Sequence, residues 1–138
     1  MVKLLIGKKG TGKTKKLIAL ANEAVAASSG NVVVIEKGSK LTYDVTHKAR
    51  LIDTEQYTIY GYDMLYGFLS GICAGNYDVT DILVDSTFKI APEAIAGLES
   101  FTKTLQELSE TTSTNITLLI SADSADIPES INAVCEAI

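Results

Sequence analysis

The chain has 138 residues, a formal net charge of −5, 46% hydrophobic residues, two cysteines and no tryptophan. That length suits one domain burying roughly two-thirds of its unfolded surface, so the core needs no disulfides, and the composition excludes disordered and fibrous classes. The acidic total argues against broad nucleic-acid binding, yet residues 1–50 carry ten of the twelve Lys and Arg against Glu23, Glu36 and Asp44, so positive charge is local.

Val2 to Ile6 is an apolar run that reads as a first strand. It is too short for a signal-peptide core, and no run approaches the length of a membrane span. The segment GKKGTGKT, Gly7 to Thr14, follows it. A helix is predicted from about Lys13 to Ala27, with Leu17, Leu20, Ala21 and Ala24 on one face, and Ser28 to Asn31 stop it. Val32 to Ile35 is a β-branched run of the kind buried on both faces of a parallel sheet, which completes a βαβ unit.

Residues 37–49, which include the only histidine, His47, read as a loop or a short peripheral hairpin. Arg50 to Asp53 is a short strand, and Tyr57 to Ala74 is a helix with Met64, Leu65, Phe68, Leu69 and Ile72 at helical spacings. Ile82 to Val84 forms a strand leading into Asp85. Pro92 stands near the start of a helix that runs to about Thr111. Ile116 to Ile120 is the last strand, ending on Ser121, and Pro128 to Ile138 reads as a short closing helix. Cys73 and Cys135 lack CxxC spacing and a nearby His, which fits buried free thiols in a reducing cytosol, so the expected location is cytoplasmic.

Alternating strands and helices predict a single-domain α/β fold over residues 1–138, a three-layer sandwich in which a mostly parallel sheet carries helices on both faces. Right-handed crossovers bring the C-terminal ends of such strands to one rim. Gly7, Glu36, Asp53, Asp85, Ser121 and Asp123 all follow strand ends and are expected to gather there.

Gly7, Gly10 and Gly12 let the backbone curl so that successive N–H groups face inward, a nest for phosphate oxygens at a helix N-terminus. The predicted nucleotide-binding set is Gly7, Lys8, Lys9, Gly10, Thr11, Gly12, Lys13, Thr14 and Lys15. Lys13 supplies charge toward the β- and γ-phosphates and is a catalytic candidate. The Thr14 hydroxyl suits Mg²⁺, and Asp85 is the natural second partner of that ion.

Gly7 to Thr14 resembles a Walker A motif, and DILVD, Asp81 to Asp85, resembles a Walker B motif of the P-loop NTPases. Ser121, after ITLLI, resembles the polar sensor at a strand end in the RecA-like and AAA-like branch, whose order places that strand between those of Walker A and Walker B. Members of that branch often carry Glu directly after the Walker B Asp, where this chain has Ser86. In RecA-like members a Glu follows the second strand instead. Glu36 occupies a similar place, so the resemblance makes it the candidate general base, with Asp53 and Glu55 behind it and a solvated acid as the alternative. The chain is also similar to short bacterial ATP-binding proteins sometimes labelled twitching-motility ATPases, although motor ATPases of that kind are much longer and carry His-containing motifs that a chain with one histidine lacks.

These resemblances imply Mg²⁺-dependent ATP binding with slow or partner-activated hydrolysis, the partner being a second copy or another protein. The alternative is a non-catalytic module in which ATP orders residues 37–56 for a protein partner. A small-molecule or nucleotide kinase is disfavoured because Arg50 is the only arginine. Arg50 is expected in a structural ion pair, or else as an arginine finger within a homo-oligomer. His47 carries no assigned role, and the tyrosines are expected to pack rather than stack on a base. No NKxD motif is present, which tilts the nucleotide toward ATP.

Overall fold

The computed structural model describes residues 1–138. Six strands, Val2–Gly7 (β1), Asn31–Glu36 (β2), Arg50–Asp53 (β3), Val79–Val84 (β4), Asn115–Ser121 (β5) and Cys135–Ala137 (β6), form one sheet. The helices are Lys13–Ala27 (α1), Tyr62–Gly75 (α2), Thr87–Ile90 (α3) and Ile95–Thr112 (α4). The strand order is β3-β2-β4-β5-β1-β6, and every pairing is parallel. The expected α/β sandwich is therefore present, with a wholly parallel sheet.

Alternation along the strands sorts side chains into two layers. Leu4, Ile6, Ile82 and Val84 join the larger core with Leu65 and Leu69 of α2 and Leu98 and Leu105 of α4. Leu5, Val32, Val34 and Leu83 face the other way, onto Leu17 and Ala21 of α1. Helix α1 is too narrow to cover that face alone, and Leu41, Val45 and Ala49 of the loop between β2 and β3 complete it. Asn22 of α1 pins this loop: its Oδ1 accepts from the Thr46 N–H at 3.0 Å, and its Nδ2 donates to the Asp44 carbonyl at 3.3 Å. Truncating one of the fully buried leucines to alanine costs about 2–5 kcal/mol, so each core is sensitive to single changes.

Two of the expected elements are corrected and one is added. Of the two readings for residues 37–49, the loop holds: they form turns and no hairpin, and their apolar side chains are drawn onto α1. The second long helix begins at Tyr62 rather than Tyr57, since the Asp53 side chain accepts the Glu55 N–H and caps a separate 3-10 turn, Thr54–Tyr57, which Thr58 closes in the left-handed region at φ 57°. The short α3 precedes α4, which starts at Ile95 beyond Pro92. The closing helix is replaced by a 3-10 stretch, Glu129–Val134, and then β6, which pairs with Leu4, Leu5 and Ile6. Without β6 the edge of β1 would leave its backbone donors and acceptors open. Both cysteines are free, as expected, but only Cys73 is fully buried, while Cys135 is half-buried with its thiol pushed up by that burial. No helix is long and apolar enough to cross a membrane.

Candidate functional site

Register places the strand ends together: Gly7 lies beside Ser121, Ile35 beside Val84 and Glu36 beside Asp53. The rim expected from the strand pattern therefore exists, and the glycine-rich loop crosses it between β1 and α1. Gly12 stands before α1 at φ 86°, a left-handed conformation that glycine adopts without penalty. At Gly7 a Cβ would lie 2.5 Å from Thr11 Oγ1 and 3.3 Å from Lys13 Cγ, so the loop closes only over a bare backbone.

The Lys8 carbonyl organises the loop by accepting from the Thr11 N–H at 3.2 Å, the Thr11 hydroxyl at 2.8 Å and the Lys13 ammonium at 3.0 Å. Lys13 is only 8% exposed. Burial lowers its pKa below 10.5, and the nearby Asp85 charge only partly offsets this. No side chain caps α1 and no acid lies in its first turn, so the positive end of the helix stays uncompensated beside a buried ammonium.

Asp85 follows β4, its N–H held by the Ile35 carbonyl at 2.8 Å. It is buried, and none of the four ion pairs in the protein involves it. The next residue, Ser86, takes left-handed angles, φ 55° and ψ 42°, and turns the chain directly into α3. A cleft of about 550 Å³ opens between the loop and this turn. Of the predicted site residues it brings together Lys9, Gly10, Gly12, Lys13, Thr14, Lys15, Asp85 and Ser121.

Gly7, Lys8, Thr11 and Glu36 lie outside the cleft lining. Gly7 and Thr11 shape the loop from behind. Lys8 turns away to pair with Asp123 at 3.2 Å, and the Asp123 carboxyl is held low first by the Ala125 N–H and then by Lys8. Glu36 is 2% exposed, which removes the reading of a solvated acid. Its two oxygens accept the Lys40 and Leu41 N–H groups at 3.1 and 3.0 Å. Burial raises its pKa; those two bonds pull it down, and the charges of Asp85 and Asp53 push it up again. Asp53 is likewise engaged, accepting the Gly38 and Glu55 N–H groups at 2.8 and 2.9 Å.

Arg50 opens β3, at the rim opposite the loop, and it forms no ion pair, so the expected pairing is absent. His47 is exposed in the β2–β3 loop. The packing expected of the tyrosines holds for Tyr62, whose hydroxyl donates to the Ala94 carbonyl at 2.5 Å and whose ring lies 4.6 Å from that of Phe101. It fails for Tyr43, Tyr60 and Tyr77, which are exposed, while Tyr57, also exposed, keeps a ring contact with Phe68 at 5.9 Å. None of the tyrosines lines the cleft.

The donor set fits a hard divalent cation: an exposed Thr14 hydroxyl and a carboxylate free of ion pairs face one cleft. No group of three or more His, Cys, Asp or Glu side chains is placed to share a metal, so such a cation needs phosphate oxygens and water as its other ligands.

No protein-family model matches the sequence, and no curated protein matches it. Among solved structures, the fold is similar to that of PCH-2 from C. elegans, with a TM-score of 0.56 and 13% sequence identity. The alignment covers 99% of this chain and 34% of that one, so the chain spans about a third of that length. The architecture here is a P-loop NTPase-like fold. Within it β5 lies between β1 and β4, the order that the resemblance of Ser121 to a strand-end sensor implied.

Part of the cleft carries no signature in the sequence. Ser86, Phe88, Lys89 and Leu119 also line it. Leu119 lies within the recognised ITLLI strand, where alternation puts it on the α1 face. The other three depend on the left-handed turn at Ser86, which no residue pattern announces.

Proposed function

We propose that residues 1–138 form one nucleotide-binding domain that holds ATP and Mg²⁺ in this cleft. Hydrolysis is slow in the isolated chain and faster when a second copy or another protein completes the site. The observation that carries this reading is Lys13, a buried ammonium whose hydrogen-bond acceptor is a carbonyl of its own loop, set beside an uncapped helix N-terminus. A polyphosphate supplies the charge that both lack. Thr14 and Asp85 are the residues to hold Mg²⁺, which when bound neutralises and orients the phosphates, and the Ser121 hydroxyl borders the same space.

Slow turnover follows from the carboxylates. Positioning and charge stabilisation do most of phosphoryl transfer, and a base must then orient water. Glu36 can serve only after releasing the Lys40 and Leu41 N–H groups, and Ser86 offers no carboxylate after Asp85.

Calorimetric titration of ATP, GTP and ADP with Mg²⁺ into wild type and Lys13→Ala tests the reading. Wild type should bind ATP, and the variant should bind on the order of 100-fold more weakly, as expected when a charge-assisted phosphate contact is lost. Absence of binding to wild type would sink it. The occupied Glu36 carboxylate also favours a second reading, a non-catalytic module whose nucleotide controls a protein contact. Phosphate release separates the two: binding without release above the Lys13→Ala level, at any protein concentration, leaves only the module.

A further inference from the structure

The cleft carries more positive charge than its loop accounts for. Lys9, Lys13, Lys15 and Lys89 line it against a single acid, Asp85. The four ion pairs of the protein use Lys3, Lys8, Lys16 and Lys103, so none of the cleft lysines is neutralised that way. Three of the four belong to the loop and the first turn of α1. Lys89 alone comes from the opposite wall, four residues after Asp85 on α3.

That wall is well fixed. Thr87 and Ile90 are buried at 0% and 1% exposure, the Lys89 N–H donates to the Ser86 carbonyl at 2.9 Å, and the Lys89 carbonyl accepts from Lys37 Nζ at 3.5 Å. Ser86 and Phe88 of this wall are half-buried at the cleft, and Lys89 is its exposed residue and its one cation. Arg50, the alternative candidate for a finger within a homo-oligomer, starts β3 at the far rim and cannot serve its own site.

We infer that Lys89 is a finger in cis: a cation that meets the γ-phosphoryl group from the side opposite Lys13 and neutralises charge that spreads over its equatorial oxygens during transfer. This rests on the nucleotide reading above. The balance is that of hydrolysis: water forms the new P–O bond, the bond from the γ-phosphorus to the bridging oxygen breaks, and ADP leaves with that electron pair. The proton of the attacking water passes to solvent or base, while Lys89 stays protonated throughout. Because Lys89 acts within its own chain, its contribution to turnover does not depend on protein concentration.

The test compares wild type, Lys89→Ala and Lys89→Arg by phosphate release and by affinity for Mg·ADP with and without aluminium fluoride, a mimic of the transferring phosphoryl group. Arginine fingers contribute 10³–10⁵ in rate, and a lysine offers one point charge in place of a fork, so Lys89→Ala should lower kcat on the order of 10- to 100-fold. Its affinity for Mg·ADP alone should stay within about 3-fold of wild type, and the tightening produced by aluminium fluoride should vanish, as for an interaction made only in the transition state. Lys89→Arg should keep most of both. Wild-type kcat in Lys89→Ala, or an equal loss of affinity with and without aluminium fluoride, overturns the inference. So does a wild type that binds Mg·ATP but neither releases phosphate nor tightens with aluminium fluoride, an outcome that leaves the nucleotide reading standing. A wild type that binds no nucleotide removes that reading first.

Discussion

Lys13 donates its ammonium proton to the carbonyl of Lys8, 3.0 Å away, so the cation of the phosphate loop is satisfied by the loop itself. A neutral carbonyl is a weak partner for a buried charge, and an incoming phosphate oxygen replaces it with a stronger one. At 100 times its dissociation constant a ligand stabilises the native state by about 2.7 kcal/mol. For a chain of this size that is a rise in Tm of roughly 10 °C. Thermal melts of wild type with Mg·ATP should show that rise, and Lys13→Ala should not. A full shift in the variant would remove Lys13 from the binding machinery.

The contact between Gly7 and Thr11 predicts a compensating pair. Gly7→Ala brings a methyl group against Thr11 Oγ1 and opens the loop, so ATP affinity should fall by about tenfold or more, of the order of the 1–3 kcal/mol that overpacking costs. Thr11→Ala removes the obstructing atom and should restore most of the loss in the double variant, a coupling visible by calorimetry as non-additivity. Simple additivity would mean that the loop, not the contact, fails.

Glu36 predicts a pH signature. Its folded pKa is raised above the ordinary 4.5, so the native state holds a proton that the unfolded chain has already released. Stability from this group is present below 4.5 and is lost as pH rises through the folded value. Glu36→Gln cannot titrate, so the Tm of wild type should fall relative to the variant as pH increases above about 4.5 and then level off. A difference that does not change across that window would show that the carboxylate is not perturbed.

Much of this was legible because the signals are local. A glycine and lysine pattern between an apolar strand and a helix identifies the loop, and a strand ending on Asp85 supplies its partner. What escaped reading depends on strand pairing, loop folding and backbone angles that no residue pattern announces. Cys135 to Ala137 has no strand pattern of its own and becomes β6 because Leu4, Leu5 and Ile6 present an open edge. Lys89 joins the cleft because Ser86 takes an angle that its side chain does not favour. Glu36 read as an acid after a strand, and only tertiary structure reveals that the β2–β3 loop folds back to occupy it.

The same edge predicts a liability. Deleting residues 135–138 exposes β1 and removes Glu136, which contacts Lys3 at 3.4 Å and Lys16 at 3.9 Å. The exposed ion pairs matter little, about 0–1 kcal/mol, whereas a bare strand edge invites pairing with other chains. The truncated protein should melt earlier and scatter more light on warming. Glu136→Ala should do neither, which separates the strand from its charges.

The loop between β2 and β3 performs two tasks with one segment. Leu41 donates its N–H to Glu36 while its side chain, with Val45 and Ala49, seals the core over α1. Freeing the carboxylate therefore wets those apolar groups, at about 25 cal/mol for each Å² uncovered. The segment cannot flap as an independent gate. Its opening is a small unfolding event, rare at rest, and whatever binds the opened form governs how often the acid becomes available.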